Sequence, residues 1–306
     1  MLERESNLKA WLYLTPALLL LSVFTFYPLF NSFYLTFLVR YNYLSPVKTF
    51  EAYTLIGNFQ KVLSDPIFHQ ALKNTVVIVF VSVPISVLVS LLIAVALNGI
   101  KKLQGTFQTI FFLPYVTNAI AVGMAFAFIF NTKYGLINQF LGWFGMDPVK
   151  FVTLGATWGT SMIALLVYTV WGGLAFKIMV FLAGLQNIDK QYYDAAKVDA
   201  TPKARVLRRI TIPLLSPMIA YITITSFIGA FKAYRTVIGM FGATLAPPGL
   251  LPKDSLITIV GYIYKFIYDD APGAISIAAA SAVILFVITL IFTFVQMWVS
   301  KKRVHF

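Results

Sequence analysis

The chain has 306 residues, 59% of them hydrophobic and only 11% charged, with a mean hydropathy of +0.82. That leaves too little polar surface for a water-soluble globule, so the chain is read as an all-α, polytopic membrane protein. Its net charge of +13 is scattered between apolar runs, which argues for membrane topology and against nucleic acid, while the lack of cysteine excludes disulfides and a thiol nucleophile.

In chain order, the polar start MLERESNLKA precedes an apolar run at residues 11–37. A helix crosses the hydrocarbon core in about 20 residues, so this run suffices. It is longer than the apolar region of a signal peptide and lacks a small-residue cleavage site, so it reads as a retained first span, kinked near Pro28. Residues 38–71 are polar and aromatic, and GNFQKVLSDPIFHQALKNT, which runs into the next span, suggests a short amphipathic helix on the outer surface. Further spans are expected at residues 72–97, 107–130, 157–183, 213–230 and 275–300, about six in all, within a single transmembrane domain over 1–306. The stretch 256–267 is too short to cross and carries Lys265; it reads as a packed external or re-entrant segment.

One long charged island interrupts the second half, LQNIDKQYYDAAKVDATPKARVLRRITIPLLSP at residues 185–217. Asp189 can cap a helix opening at Lys190, and Ile188 can pack on Tyr193 as a hydrophobic staple. Thr201 is a competent second cap, Pro202 suits the first helical position, and Pro213 would open the fifth span. The island reads as two short helices in water, joined by a bend. With the N terminus inside, the inner segments carry Arg4, Lys9, Lys101, Lys102, Lys190, Lys197, Lys203, Arg205, Arg208, Arg209, Lys301, Lys302 and Arg303. The longer outer loops carry fewer, so the island and both termini are assigned to the cytoplasm.

Chemistry of its own is hard to find in this chain. There is no GxxxxGK[ST] phosphate loop, His69 and His305 fall on opposite sides of the membrane, and the spans hold no carboxylate. Lys177 is the one charge clearly inside a span and is expected to snorkel to the inner interface. A membrane-embedded enzyme would need clustered acids, and Asp269 with Asp270 is the only adjacent pair, set before a turn-forming APG.

The order of residues in the island says more than its composition. Asp194, Ala195 and Ala196, then Asp199, Leu207, Ile210, Ile212 and Pro213, follow Glu-Ala-Ala, two residues, Asp-Gly-Ala, then an apolar residue, Ile and Leu-Pro. This resembles the EAA loop of permease subunits of binding-protein-dependent ABC importers. Asp194 stands for Glu, Ala200 for Gly and Thr201 for Ala; without the glycine the bend is more demanding for the backbone. Asn58-Phe59, Asp65-Pro66, Asn74-Thr75, FFLPYVTNAI with Pro114, YGLIN at 134–138, and Tyr262 with Tyr264 are similar to motifs of carbohydrate permeases of the maltose and glycerol-phosphate type. The loop APPGLLPK departs from that group's Gly-Gly-Pro.

The resemblance implies a subunit that binds no cofactor and is not itself an enzyme. It would pair with a second homologous permease, two ATPase subunits that hold ATP and Mg, and an extracytoplasmic solute-binding protein in a bacterial plasma membrane. Tyr193, Asp194, Ala195, Ala196, Asp199 and Ala200 would couple to the ATPase. Sugar sites need aromatic faces and hydrogen-bonding groups, which Tyr168, Thr169, Trp171, Gly172, Gly173 and Phe176 offer before the island, and Thr223, Ser226 and Tyr234 after it. In the family, the Gly172–Gly173–Phe176 turn and Ser226 fall where sugar is contacted. Glycines in membrane helices also serve close packing, and aromatics near span ends form interfacial belts. Lys232 and Arg235 would either attract an anionic solute or anchor at the interface. The competing function is a stand-alone secondary carrier or channel.

Overall fold

The computed structural model describes residues 7–42, 49–100, 104–251 and 254–301. Expectations that rest on Arg4, Lys48, Lys101, Lys102, Pro252, Lys253, Lys302, Arg303, His305 or the Pro114 side chain lie outside what it describes. In chain order the helices are α1 (Asn7–Leu21), α2 (Tyr27–Leu35), α3 (Gly57–Ser64), α4 (Pro66–Asn98), α5 (Gln104–Val116), α6 (Ala119–Ile129), α7 (Leu136–Trp143), α8 (Trp158–Gly172), α9 (Leu174–Gln186), α10 (Lys190–Val198), α11 (Lys203–Val206), α12 (Ile212–Leu214), α13 (Ser216–Phe231), α14 (Arg235–Phe241), α15 (Ile259–Ile267) and α16 (Ala274–Lys301). Among the described residues the fold is all-α apart from a small hairpin of β1 (Leu38–Val39) and β2 (Ala52–Tyr53), paired antiparallel.

Among the described residues, four helices are long and apolar enough to cross a membrane: Lys9–Leu35, Pro66–Asn98, Trp158–Gln186 and Ala274–Lys301. A fifth candidate is a pair, Lys203–Leu214 and Ser216–Phe231, bent by 70°. The stretch expected to cross at 107–130 is divided into α5 and α6, because the Asn118 side chain accepts from the Ile120 amide at 2.8 Å and starts a new helix there.

The chain packs as two units. In the first, Met1–Asp65 with Ile263–Phe286, α1 runs into α2 through a widened π turn at Ser22–Phe26. That turn relieves the clash between the Pro28 ring and the carbonyl of Phe24 four residues back. Asn58, buried on α3, donates to the carbonyls of Thr36 at 2.8 Å and Leu38 at 2.9 Å and so fixes the hairpin's start. The expected surface helix ends sooner than the sequence suggests: Asp65 is extended, as a residue before proline prefers, and Pro66 already opens α4.

The second unit, Pro66–Tyr262 with Val287–Phe306, is built around α4. At 33 residues it is about 50 Å long, well beyond a hydrocarbon core of about 30 Å. Leu91, Ala94 and Leu97 of α4 pack with Ile178, Phe181, Leu182 and Leu185 of α9, with Leu215 at the α12–α13 bend and with Ile222 of α13. Gly184 permits this approach, since a Cβ there would lie 2.9 Å from Leu215 and 3.0 Å from Met218. Within the bilayer such contacts stabilise by close packing, not by removal from water.

Candidate solute path and coupling segment

Two interruptions, one between α5 and α6 and one between α8 and α9, meet around the expected solute-path residues. The first half of span 157–183 opens with a capping box between Thr157 and Thr160, then breaks at Gly173. A Cβ on Gly173 would lie 2.8 Å from the Lys177 Nζ and 3.2 Å from the Thr169 carbonyl, so a side chain there would displace the Lys177 ammonium. Gly172 carries no such demand; its nearest neighbour would be Tyr168 at 3.8 Å.

Lys177 does not snorkel. It is 8% exposed, and its ammonium donates to the Gly173 carbonyl at 2.8 Å, turning back one helical turn toward the break. The interruption supplies an acceptor close at hand, where the interface would have required the stem to run the other way along the helix.

Aromatic rings join the two interruptions. The Tyr168 hydroxyl donates to the Ala119 carbonyl at the start of α6. Tyr115, at the end of α5, stacks on Phe176 with ring centroids 5.7 Å apart, and Phe126 of α6 lies 5.1 Å from Trp171. Trp171, Phe176 and Tyr115 are 39%, 38% and 53% exposed, so each presents part of its ring outside the packed core. The Thr169 hydroxyl is spent on the Leu165 carbonyl at 2.8 Å. Ser226 is half-buried on α13, Lys232 is exposed at its end, and Tyr234 is half-buried just before α14. Ser226 and Lys232 share no hydrogen bond or ring contact with the Trp171–Phe176 group among the described residues. Sequence reasoning missed Tyr115 and Phe126. Tyr115 lay inside the quoted FFLPYVTNAI, and its stacking on Phe176 is a tertiary fact with no local signal.

The charged island starts as expected. The Asp189 side chain accepts from the Gln191 amide at 2.9 Å and α10 opens at Lys190. Ile188, however, packs against the α4–α9 cluster. Tyr193 reaches Thr211 with hydroxyl oxygens 3.3 Å apart, tying α10 to the segment that leads into α13. Ala196 is 6% exposed and faces the chain's own body, whereas Asp194, Ala195, Asp199, Ala200 and Val198 face outward, Val198 at 87%. The Lys197 ammonium, 2.6 Å from Asp194, holds that exposed carboxyl below its usual range. This small contribution is therefore present at neutral pH and lost as pH falls through the lowered value.

Ala200 has φ +51, and the Thr201 amide closes on the Ala196 carbonyl at 2.9 Å. Thr201 does not cap the next helix, because the cap position falls one residue later. Pro202 takes the cap position without a side-chain bond, and its carbonyl receives the Arg205 and Val206 amides. Pro213 does not open the fifth span either. It sits inside a helix that accommodates it with a π turn at Leu207–Thr211, and the sharp bend falls at Leu215, before Pro217.

Several of the motifs outside the island act as knots. Asn74 donates to the carbonyls of Ser255 and Ile257, both at 2.8 Å, and accepts from the Trp158 indole at 2.7 Å. Thr75 accepts the Ile259 amide at 3.0 Å, and Asn138 exchanges two bonds with the Val149 backbone.

Residues 68–305 match the family described as binding-protein-dependent transport system inner membrane component. The chain belongs to this family. As an inner membrane component of such a system, it is similar to the lactose transport system permease of Rhizobium radiobacter, 32% identical over 99% of this chain and 97% of that protein. It is also similar to the trehalose/maltose transport system permease of Thermococcus litoralis, 29% identical over 98% and 96%. Among solved structures, the inner membrane component shares its fold with a chain of a bacterial alginate ABC transporter in complex with an alginate pentasaccharide-bound periplasmic protein. The TM-score is 0.76 at 20% identity, covering 97% of this chain and 95% of that one.

Proposed function

We propose that this permease forms, with a second homologous permease, the path by which a bacterial ABC importer moves a sugar or oligosaccharide across the plasma membrane. ATP and Mg are held by two separate ATPase subunits, and an extracytoplasmic protein delivers the solute. The observation that carries the reading is the pair of facing helix interruptions ringed by part-exposed Tyr115, Trp171 and Phe176. Flat apolar faces beside backbone carbonyls suit the CH faces and hydroxyls of a saccharide. The relatives support the solute class, being permeases for lactose and for trehalose and maltose. A periplasmic protein with bound pentasaccharide in the structural neighbour supports the delivery partner. Asp194, Ala195, Asp199 and Ala200 present the outward face of α10 to the ATPase, with the island and both termini in the cytoplasm. A stand-alone carrier is disfavoured by the family membership and by spans without carboxylates.

Two measurements test this reading. A tagged chain purified in detergent should bring down an ATPase and a second permease. Trp171→Ala should abolish saccharide uptake while those subunits still co-purify; uptake at the parent rate would remove Trp171 from the path.

A further inference from the structure

The helix α7 has its polarity inside out. Asn138 is 7% exposed and points into the chain, where it exchanges bonds with the Val149 backbone at 2.8 and 2.9 Å. On the opposite side Leu136, Phe140 and Trp143, spaced four and three residues apart, continue into Phe144 and form one outward stripe. Their exposures are 59%, 51%, 81% and 68%, and Met146 adds 58%. Phe140 holds the stripe together, with ring centroids 6.0 Å from Trp143 and 5.1 Å from Phe144.

Outward apolar faces are ordinary on helices that span, but α7 has eight residues, about 12 Å, and cannot span. It lies in the connection between the end of α6 at Ile129 and the start of α8 at Trp158. That connection also carries Lys133, Asp147 and Lys150, all exposed, so it reaches the polar edge of the bilayer. Lys133 sits over the Tyr134 ring at 5.2 Å. A short helix with Trp and Phe outward, a buried polar anchor inward and two lysines beside it matches the headgroup boundary, where aromatic rings settle and lysines meet phosphates.

We infer that α7 is an interfacial anchor whose Phe140–Trp143–Phe144 face inserts into the phospholipid headgroup–acyl boundary at the ends of α6 and α8. It fixes the depth of the α6–α8 connection, and with it the end of α6, where Phe126 lies against Trp171.

Because the chain has no cysteine, Trp143→Cys and Phe140→Cys each give it a single nitroxide position, read against a transporter with the parent chain labelled in the same way. The assembled transporter in nanodiscs of phosphatidylethanolamine and phosphatidylglycerol should show both labels colliding severalfold more often with oxygen, which partitions into lipid, than with a nickel chelate in water. Nickel-dominated collisions would place the stripe in water, and protection from both reagents would place it under another protein; either overturns the inference. Should the cysteine variants fail to assemble, the conservative Trp143→Phe serves. Quenching of tryptophan fluorescence by brominated lipid should fall relative to the parent, and an unchanged quench would overturn the inference.

Discussion

Ala200 holds the bend between α10 and α11 at φ +51, a left-handed conformation in which a Cβ is disfavoured by about 1 kcal/mol. The family's pattern has glycine there, and the backbone has kept the geometry without the residue that makes it easy. Ala200→Gly should therefore stabilise the closed bend. The Thr201 amide, bonded to Ala196, should exchange with solvent about fivefold more slowly, in keeping with about 1 kcal/mol of added local stability. A faster exchange would show that the glycine's flexibility in the open loop outweighs the relief. Asn74 is the opposite case, a side chain whose bonds are all made. Removing it leaves the Ile257 carbonyl and the Trp158 indole N–H without the partner each has now, while the Ser255 carbonyl keeps Gln70 at 3.1 Å. Asn74→Ala should cost about 2–4 kcal/mol, two buried polar groups at about 1–2 kcal/mol each, read as a lowered Tm of the purified protein.

At the scale of elements, the apolar spans were legible because the bilayer demands length and hydropathy, and both are local properties. The interruptions were not. Residues 107–130 form a continuous apolar run, and only the Asn118 cap, one side chain long, divides it. Tyr168 meeting Ala119 and Tyr115 meeting Phe176 depend on which helices become neighbours, which no periodicity encodes. Pro213 is the residue expected to open the fifth span, because proline suits the first helical position. The π turn at Leu207–Thr211 instead carries a helix through that proline, and the bend falls at Leu215. Glycines were read as packing or solute positions without a way to rank them, and the structure ranks them. Gly239 of α14 faces α6 so closely that a Cβ would lie 3.0 Å from the Ile120 Cα and 3.1 Å from its carbonyl oxygen. Gly229 on α13 has nothing within 4 Å. Gly239→Ala should lower stability by about 1–3 kcal/mol because only backbone can move. Gly229→Ala should be neutral or raise it by up to about 1 kcal/mol through helix propensity. Thermal unfolding of the two variants side by side checks the contrast.

For the molecule as a working subunit, what matters is which surface of the island is left for another protein. A motor that biases a two-state membrane bundle needs a rigid handle. Here α10 is tied to its own chain by Tyr193 and Thr211 on one side, and by the burial of Ala196. Two residues of the same Asp-Ala-Ala run thus face opposite ways. A large charge at Ala196 would strike the chain's own packing and should reduce the yield of folded protein, which says nothing of coupling. At Ala195 the same charge stands in solvent, on the face proposed for the ATPase. Ala195→Arg should leave insertion, thermal stability and co-purification of the second permease at parent levels. Uptake and solute-stimulated ATP hydrolysis should drop at least tenfold, the effect of about 1.4 kcal/mol or more of unfavourable docking. Val198→Asp, at the most exposed apolar position of α10, should act in the same direction. If Ala195→Arg hydrolysed ATP and imported solute at the parent rate while Ala196→Arg folded normally and failed, the inward face would be the handle, and the ATPase would have to pry α10 from the chain to reach it.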